Sequence, residues 1–282
     1  MESVEAVSHL EGTLDPSVKT LTRYSEMVAV EATQRQILRR PKPYNPQELL
    51  EISRTGGLVL GGFLGDNLVA FAVAVSSSDS DGPYLFGVAL GVRRGHRNLG
   101  LGRLLKMAQK DHALAQGLTR MGWTFAPLLA RTAHFHCTAI GAICRAYKAD
   151  YFDSAEGRED HLLTNERLLV SWDLTSKRVE ARLAGERPKP PEGTWVTRVV
   201  DEGSLPRLAE TFLDKADTRL LVEIPLDLPP YRDFPEVLND WRRGVGLLLE
   251  KYVNIDGYAV TECFTTLLDD VRRSFYLLER PA

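Results

Sequence analysis

The sequence has few of the features that mark secreted, metal-binding and membrane proteins. Its 282 residues include only three cysteines; Cys137, Cys144 and Cys263 are odd in number and too widely spaced for a disulfide framework or a metal pattern. No apolar run approaches the roughly 18 residues of a membrane span. The acidic start MESVEAVSHLEG does not resemble a signal peptide. We therefore expect a cytoplasmic protein with no metal and no membrane partner.

Charge is also close to balanced. The 35 basic and 38 acidic residues leave a formal net charge of −3, so the whole molecule has no long-range attraction to nucleic acid or to anionic membranes. Hydrophobic residues make up 44% and charged residues 26%, which is typical of a globular protein. This length predicts one large domain or two smaller ones. Any anion-binding site must come from a local cluster of charge.

Hydrophobic periodicity and turn residues predict alternating helices and strands. The first part is predicted to contain, in order, a helix over 21–40, a helix from the N-cap Asn45 to Gly56-Gly57, a β-hairpin turning at Gly65-Asp66-Asn67, a loop over 77–82 and a central strand over 83–92. The apolar stripe predicted for the first helix comprises Leu21, Tyr24, Val28, Ala32 and Ile37.

The same signals predict a mixed α/β chain to its end. After the central strand we expect a helix to about Gln116 capped by Gly117, a strand over 119–128, a short helix ending at Gly141, and strands over 143–152 and 166–174. The proline-rich segment ERPKPPEG, residues 186–193, is the best linker candidate. Beyond it we expect a strand over 195–200, a helix over 205–213, a strand over 219–226, a helix over 235–252, and two strands over 258–267 and 273–280 joined through Asp269-Asp270. The stripe of the helix over 235–252 comprises Val237, Trp241, Val245, Leu248 and Tyr252.

The chain contains one weak internal echo. The order strand, proline, helix, glycine, strand, strand occurs from Trp123 to Leu174 and again from Leu221 to Leu278. Chance recurrence in an α/β chain accounts for the echo equally well. If the echo is a true repeat, the C-terminal part is a second half that has no glycine-rich loop.

The most distinctive stretch is RRGHRNLGLGRLLK, residues 93–106, which places four arginines and three glycines at the start of a predicted helix. The P-loop of nucleotide triphosphatases requires a lysine and then Ser or Thr after its last glycine, whereas Leu101 and Gly102 follow Gly100. The dinucleotide-binding fingerprint requires a third glycine, and Arg103 begins a segment that has none. Neither of these phosphate-binding templates fits.

A third template, R/Q-x-x-G-x-G/A between a strand and a helix, is met by Arg97, Gly100 and Gly102. Glycines let the backbone approach a ligand closely, and the N-terminus of a helix offers unpaired N–H groups and a dipole that favours negative charge. The four arginines of the stretch suit a pyrophosphate better than a single carboxylate. The plain alternative is a flexible basic loop before a helix.

This motif resembles the acetyl-CoA binding motif of the GNAT acyltransferase superfamily. The order of predicted elements from Leu21 to Leu174 is similar to that family as well. The resemblance implies an α/β fold with a mixed, mostly antiparallel sheet flanked by helices. It implies a CoA-binding catalytic domain over 1–185, the linker over 186–193, and a smaller α/β domain over 194–282 that is either a degenerate GNAT-like half or unrelated. It also implies acetyl-CoA or succinyl-CoA as acyl donor and a small-molecule amine as acceptor.

Several segments narrow the resemblance. GWTFAPLLARTAHFHC, YKADYF and TNERLLVSWDL, with VEIP, WR and GY further on, resemble a branch of predicted GNAT acyltransferases with a W-T-F-D-P-L motif, some of which are linked to amino-acid N-succinylation. The chain departs from that branch on the acceptor side, at Val88, Ala126, Thr132 and His136. The donor motif is intact, whereas the identity of the acceptor cannot be carried over.

The resemblance implies donor-side roles for residues between Gly91 and Arg103 and for Thr132, which lies further along the chain. The positions expected to bind CoA are Gly91, Val92, Arg94, Arg97, Asn98, Leu99, Gly100, Leu101, Gly102, Arg103 and Thr132. In the family, backbone N–H groups at the end of the central strand, here Gly91 and Val92, polarise the thioester carbonyl.

Acceptor-side roles are predicted for residues on the next strand and helix. Two positions on a helix differ by about 200°, so His134 and His136 cannot face one site, and the family register favours His136 as catalytic base. Tyr147 and Tyr151 are predicted to share one strand face, and either would be the acid that protonates the leaving sulfur. The residues expected to bind the acceptor are Trp123, Phe125, Arg131 and His134.

Other interpretations stay open. The altered acceptor side is compatible with a degenerate GNAT-fold module that binds CoA without turnover. A nucleotide-phosphate enzyme such as a kinase is a second rival, although the P-loop lysine and hydroxyl are missing. The C-terminal part would serve as a wall of the acceptor pocket or as the surface of a homodimer. Cys137 is expected to be a small buried hydrophobic residue rather than a nucleophile.

Overall fold

A computed structural model describes residues 15–37, 43–152, 165–202, 205–268 and 270–280. The predictions for the N-terminal residues MESVEAVSHLEG, for the end of the first helix at Arg40 and for Asp269 lie outside this part. The strands are β1 (Pro16–Thr20), β2 (Leu58–Leu64), β3 (Asn67–Asp79), β4 (Gly82–Val92), β5 (Arg120–Phe125), β6 (Ile143–Lys148), β7 (Arg167–Asp173), β8 (Thr194–Trp195), β9 (Thr197–Glu202), β10 (Leu205–Thr211), β11 (Arg219–Ile224), β12 (Ala259–Leu268) and β13 (Val271–Glu279). The helices are α1 (Tyr24–Ile37), α2 (Pro46–Arg54), α3 (Leu101–Ala115), α4 (Ala130–Ala133), α5 (Lys177–Leu183) and α6 (Pro235–Leu249).

The chain divides into two compact units, of which the first is drawn from residues 1–38, 42–75 and 89–112. Its strands pair antiparallel in the order β1-β2-β3. The predicted hairpin is confirmed, because Leu64 pairs with Asn67 and Gly65 adopts a φ of 56° in the turn. β1 was not predicted, although it pairs with β2 along its whole length.

The two N-terminal helices show a correct and an incorrect prediction. α2 has the predicted N-cap: the Asn45 side chain accepts from the Glu48 N–H at 3.0 Å, and the Glu48 carboxylate accepts from the Asn45 N–H at 2.8 Å. The predicted stripe of α1 is wrong. Tyr24 and Val28 are 54% and 45% exposed, whereas Met27 is fully buried.

A buried polar residue explains the rotated face of α1. The Gln34 side chain donates to the Tyr44 carbonyl at 3.1 Å and accepts from the Tyr44 N–H at 3.2 Å. This pair of hydrogen bonds holds a polar side chain inside the unit, at a position where an apolar pattern predicts solvent.

The second unit is drawn from residues 39–41, 76–88 and 113–282. Its sheet has the order β4-β5-β7-β6-β12-β13-β11-β8, and all neighbours pair antiparallel except β4 with β5 and β11 with β8. The predicted fold class, a mixed and mostly antiparallel sheet with flanking helices and an additional C-terminal part, is confirmed. The predicted linker has no regular secondary structure, and the predicted domain boundaries stay a prediction.

Two local predictions in the second unit are wrong, and one helix was missed. The segment predicted as a helix over 205–213 is β10, an antiparallel partner of β9 with a register shift between Leu208 and Glu210. Its leucines have helical spacing, but pairing with β9 overrides that weak pattern. The loop predicted over 77–82 is shorter, because β3 continues to Asp79 and β4 begins at Gly82. α5 was not predicted, and it begins at the N-cap Ser176.

The internal echo corresponds to a repeated topology. The elements β5-α4-β6-β7 and β11-α6-β12-β13 lie side by side with mirrored strand order, β5-β7-β6 followed by β12-β13-β11. In both, the helix continues into a π-helical turn, His134–Ala139 or Glu250–Ile255, and a glycine follows in the left-handed region: the φ of Gly141 is 79° and that of Gly257 is 75°. We call these two halves the first and second repeat.

Candidate functional site

The glycine-rich loop lies in the first unit between β4 and α3. A 3₁₀ turn covers Arg94–His96, and α3 begins at Leu101. The backbone N–H of Arg93 donates to the Val69 carbonyl of β3 at 2.9 Å, which anchors the beginning of the loop to the hairpin. The Arg97 side chain turns back and donates from Nε to the Val92 carbonyl at 3.3 Å.

The loop leaves space at the N-terminus of α3. Gly100 has a φ of 80°, a conformation that favours glycine, and its carbonyl accepts from the Leu104 N–H at 3.0 Å. A Cβ atom built on Gly95, Gly100 or Gly102 would meet no other atom within 4 Å. Internal packing therefore does not require these glycines, whereas a ligand that approaches the backbone would require them.

The charge around this space has one sign. Between Gly82 and Lys110 the sequence contains no aspartate or glutamate, and Arg94 and Arg97 are exposed. The first N–H groups of a helix have no acceptor within the helix, and the helix dipole adds to the positive potential. The loop residues therefore fit the pyrophosphate of a coenzyme.

The structure gives no contact that tests the other predicted donor-side positions, Gly91, Val92 and Thr132. A Cβ on Gly91 would lie 2.5 Å from the Ile37 side chain and 3.2 Å from the Phe71 ring, so close packing against α1 is enough to explain this glycine. Thr132, in the second unit, is half-buried on α4. The predicted roles of Gly91, Val92 and Thr132 toward CoA stay predictions.

On the acceptor side, three predicted residues come together in the second unit. The His136 ring lies 5.0 Å from the Trp123 ring and 5.3 Å from the Phe125 ring, measured between centroids. The three side chains are 8%, 4% and 5% exposed, respectively. β5 supplies the two aromatic residues from one strand face, and the π-helical turn after α4 supplies the histidine. The imidazole is thus enclosed by aromatic rings.

His134 and Arg131 have different surroundings. His134 Nδ1 lies 2.8 Å from the carbonyl oxygen of Cys263 on β12, so the prediction that the two histidines diverge is confirmed. The Arg131 guanidinium is 80% exposed and lies 3.7 Å from the Asp227 carboxylate, a surface ion pair of little energetic consequence. The structure does not bring either residue into the aromatic cluster of Trp123, Phe125 and His136.

Tyr147 is buried between the two repeats. It is 3% exposed, and a Cβ built on Gly246 of α6 would lie 2.8 Å from its hydroxyl oxygen. Burial, followed by the negative charges of Glu166 and Glu250, raises the pKa of Tyr147. The phenol is therefore protonated at neutral pH and can act only as a proton donor or hydrogen-bond partner.

The prediction that Tyr151 shares a strand face with Tyr147 is wrong. β6 ends at Lys148, and Tyr151 follows it, with its N–H donating to the Asn165 carbonyl at 3.3 Å. A register shift in β6 between Cys144 and Ala146 lies before Tyr147, so it changes the alternation of side chains ahead of Tyr147 and not the relation of Tyr147 to Tyr151. Spacing in the sequence reveals neither the shift nor the end of the strand.

The sequence prediction missed the charged surroundings of Tyr147. Glu166 and Arg242 line a small cavity together with Tyr147 and Gly246. Glu166 lies just before β7, and Arg242 lies on α6, far along the chain. Arg242 belongs to the Trp-Arg pair that resembles the acyltransferase branch, which is the one signal in the sequence that pointed to it.

The cysteines are buried, and the described residues contain no candidate metal site. Cys137, Cys144 and Cys263 are all buried and unoxidised, and burial raises the pKa of the Cys144 and Cys263 thiols. Among the described residues, no group of three or more His, Cys, Asp or Glu side chains could hold a metal ion. No helix in the same part of the chain is long and apolar enough to cross a membrane.

The comparison with family models covers the glycine-rich loop. Residues 26–141 match the family model described as "Acetyltransferase (GNAT) family", and no curated protein matches. One similar solved structure is the ribosomal-protein-S18-alanine N-acetyltransferase from Escherichia coli, with 14% identity, coverage of 57% of this chain and 95% of that chain, and a TM-score of 0.44. A second is Arabidopsis thaliana Naa50 with a bisubstrate analogue, with 15% identity, coverage of 56% of this chain and 98% of that chain, and a TM-score of 0.45. A third is the putative acetyltransferase yncA from Salmonella typhimurium with acetyl-CoA, with 14% identity, coverage of 59% of this chain and 99% of that chain, and a TM-score of 0.46. Residues 26–141, from α1 to the glycine after the π-helical turn, are therefore similar to GNAT acetyltransferases, and this match covers less than half of the chain.

Proposed function

We propose that the protein transfers an acetyl or succinyl group from CoA to the amine of a small molecule, with an amino acid as one candidate acceptor. The observation that carries this proposal is the loop at the start of α3. It combines open space at Gly95, Gly100 and Gly102 with exposed arginines and a helix N-terminus. These are the groups that a pyrophosphate requires.

The proposed reaction is a direct attack in a ternary complex. The acceptor nitrogen attacks the thioester carbonyl, an N–C bond forms, and the C–S bond breaks. His136 takes the proton of the amine, and Tyr147 donates a proton to the CoA thiolate as it leaves. Burial raises the pKa of Tyr147, so the phenol is protonated at neutral pH and would enter the reaction as a proton donor and not as a base. Tyr151 is the alternative acid.

The acceptor would contact Trp123 and Phe125, which form one wall with His136. Because the imidazole is enclosed, the side chains that cover it must move before the acceptor amine reaches that ring. Arg131 and His134 are the weaker members of the predicted acceptor set, since one is exposed to solvent and the other is held by Cys263.

The rival function, a domain that binds CoA without turnover, is favoured by one observation. His136 and Tyr147, the proposed base and acid, are only 8% and 3% exposed. A side chain covered to that degree must move, or its cover must move, before a substrate reaches it. The structure is therefore compatible with a donor site that has kept CoA while the acceptor side has closed.

The loop assignment can be tested with a matched pair of glycines. Gly100 and Gly117 have φ values of 80° and 75°, and a Cβ at either one would meet nothing within 4 Å. Gly100→Val and Gly117→Val should therefore lose similar stability, on the order of 1–2 kcal/mol. Calorimetric titration with CoA should show binding to wild type and Gly117→Val and none to Gly100→Val. Equal CoA affinity in both variants would refute the loop assignment.

Turnover is tested separately by release of free thiol from acetyl-CoA and succinyl-CoA in the presence of amines and amino acids. Thiol release that depends on the amine supports the transferase. CoA binding with no thiol release from either donor supports the rival module. ATP binding that is tighter than CoA binding would overturn both in favour of a nucleotide-phosphate enzyme.

A further inference from the structure

A cavity of about 380 Å³ opens on the second unit where the two repeats meet. It is lined by Arg145 of β6, Thr261 of β12, Arg219 of β11, and Glu279 and Arg280 at the end of β13. Its volume falls within the roughly 300–1,000 Å³ of small-molecule sites. Its lining shares no residue with the glycine-rich loop or with the cavity at Tyr147.

Two β-bulges build this cavity. β6 and β12 are joined by one backbone pair, Cys144 with Val260, and a register shift follows immediately in each strand. The shift in β6 lies between Cys144 and Ala146, and that in β12 lies between Val260 and Glu262. The extra residues are Arg145 and Thr261, and both line the cavity. Bulges occur frequently beside binding and active sites because they redirect a side chain.

Contacts within the cavity hold the Glu279 and Arg280 side chains in place, and they neutralise only one of the arginines. Glu279 accepts from Arg219 Nε at 3.1 Å and from the Thr261 hydroxyl at 2.8 Å, so both of its oxygens are engaged. The Arg280 guanidinium carbon lies 4.9 Å from the centroid of the Tyr258 ring, which holds that side chain by a cation–π contact.

Arg145 completes the set. It is exposed, and within the described part of the chain no hydrogen bond or ion pair engages its guanidinium. Three arginines and one glutamate give the lining a formal charge of +2. Because Glu279 is already neutralised by Arg219, the forks of Arg145 and Arg280 are the groups left to face a ligand. A guanidinium fork matches a carboxylate or phosphate with two parallel hydrogen bonds.

We propose that this cavity binds a small organic dianion, either a phosphomonoester or a dicarboxylate, between Arg145 and Arg280. The charge of such a ligand is equal in size and opposite in sign to the formal charge of +2 on the lining. This site is independent of the acyl transfer proposed above, since none of its residues belongs to the proposed donor or acceptor set.

The test is calorimetric titration of the whole chain with inorganic phosphate and, separately, with succinate, at an ionic strength held constant with sodium chloride. Saturable binding is expected for at least one probe. Arg145→Ala should weaken it about tenfold or more, and Arg145→Lys should give an intermediate affinity because a lysine keeps the charge but loses the fork. The matched control is Arg272→Ala, an exposed arginine on β13 outside the cavity, which should bind as wild type does.

The outcomes separate clearly. Binding of phosphate alone or succinate alone assigns the ligand class, and binding of both supports a general dianion site. Arg145 is exposed, so its replacement should leave the thermal unfolding midpoint unchanged, and a folded Arg145→Ala that binds like wild type overturns the proposal. Absence of saturable binding for both probes at millimolar concentration, or equal losses in Arg145→Ala and Arg272→Ala, overturns it as well.

Discussion

Lys106 gives the strongest prediction about stability. It lies on α3, five residues after the helix begins, and its side chain is only 2% exposed. Burial lowers its pKa from 10.5 to about 7, because removing an ammonium group from water disfavours the charged form. The unfolded chain keeps the ordinary pKa.

The sign and size of the effect follow from this difference. Between pH 7 and 10.5 the unfolded state holds a proton that the folded state has lost, so the free energy of unfolding rises with pH by about 1.4 kcal/mol per unit. Above pH 10.5 both states are neutral, and below pH 7 both are charged. The total penalty at low pH is of the order of 5 kcal/mol. Lys106→Met removes the titration and keeps most of the side-chain volume.

Urea unfolding followed by circular dichroism at pH 7, 8, 9 and 10 measures the effect. We expect Lys106→Met to be more stable than wild type at pH 7 and the advantage to shrink steadily toward pH 10. Comparison with wild type at each pH cancels all other titrating groups. The matched control is Lys110→Met on the same helix, where the side chain is only half-buried. A constant difference between Lys106→Met and wild type from pH 7 to 10 would refute the reasoning.

Further predictions concern the second unit. Gly246→Ala places a Cβ 2.8 Å from the Tyr147 hydroxyl oxygen and should lower the thermal midpoint in wild type but not in Tyr147→Phe; equal shifts in both backgrounds would contradict this contact. Tyr147→Phe should also lower kcat about tenfold or more if the phenol protonates sulfur, measured as thiol release, and an unchanged kcat would remove that role. Glu262, 3% exposed, accepts from Arg178 and Arg182 at 2.7 Å each. Glu262→Gln should cost about 2–4 kcal/mol of unfolding free energy, whereas Glu210→Gln, in an exposed pair, should cost nothing measurable.

The parts of the fold that could be predicted are those where local chemistry and tertiary packing agree. Asn45 and Pro46 specify the beginning of α2 through backbone geometry alone. The apolar stripe of α6 is continuous, and all five of its predicted members, Val237 to Tyr252, are buried. In such segments every local preference points to one structure.

The wrong predictions occur where long-range contacts decide. Leu205 and Leu208 have helical spacing, yet they lie in β10 because β9 is available as a partner. Gln34 is buried by hydrogen bonds to a residue ten positions away. Sequence spacing carries no information about such partners, and propensity is a weak prior against them.

The candidate site shows the same division. The loop is formed by glycines and arginines that lie close together in the sequence, so its affinity for an anion can be predicted from the sequence. Tyr147 is also visible as a residue, but its burial, its raised pKa and its neighbours Glu166 and Arg242 come from the packing of the second repeat. Tyr151 was misplaced because β6 ends at Lys148, before the strand reaches Tyr151.

The two repeats also bear on the role of the C-terminal part. α6 of the second repeat packs so closely on Tyr147 of the first that a Cβ at Gly246 would lie 2.8 Å from the phenol oxygen, and Arg242 lies in the same small cavity. Under the proposed function, a segment that covers Tyr147 in this way would be a wall of the acceptor pocket rather than a surface held for a second copy. The second repeat has no glycine-rich loop before its first strand. Under the proposed function it would therefore shape the acceptor side and take no part in holding CoA.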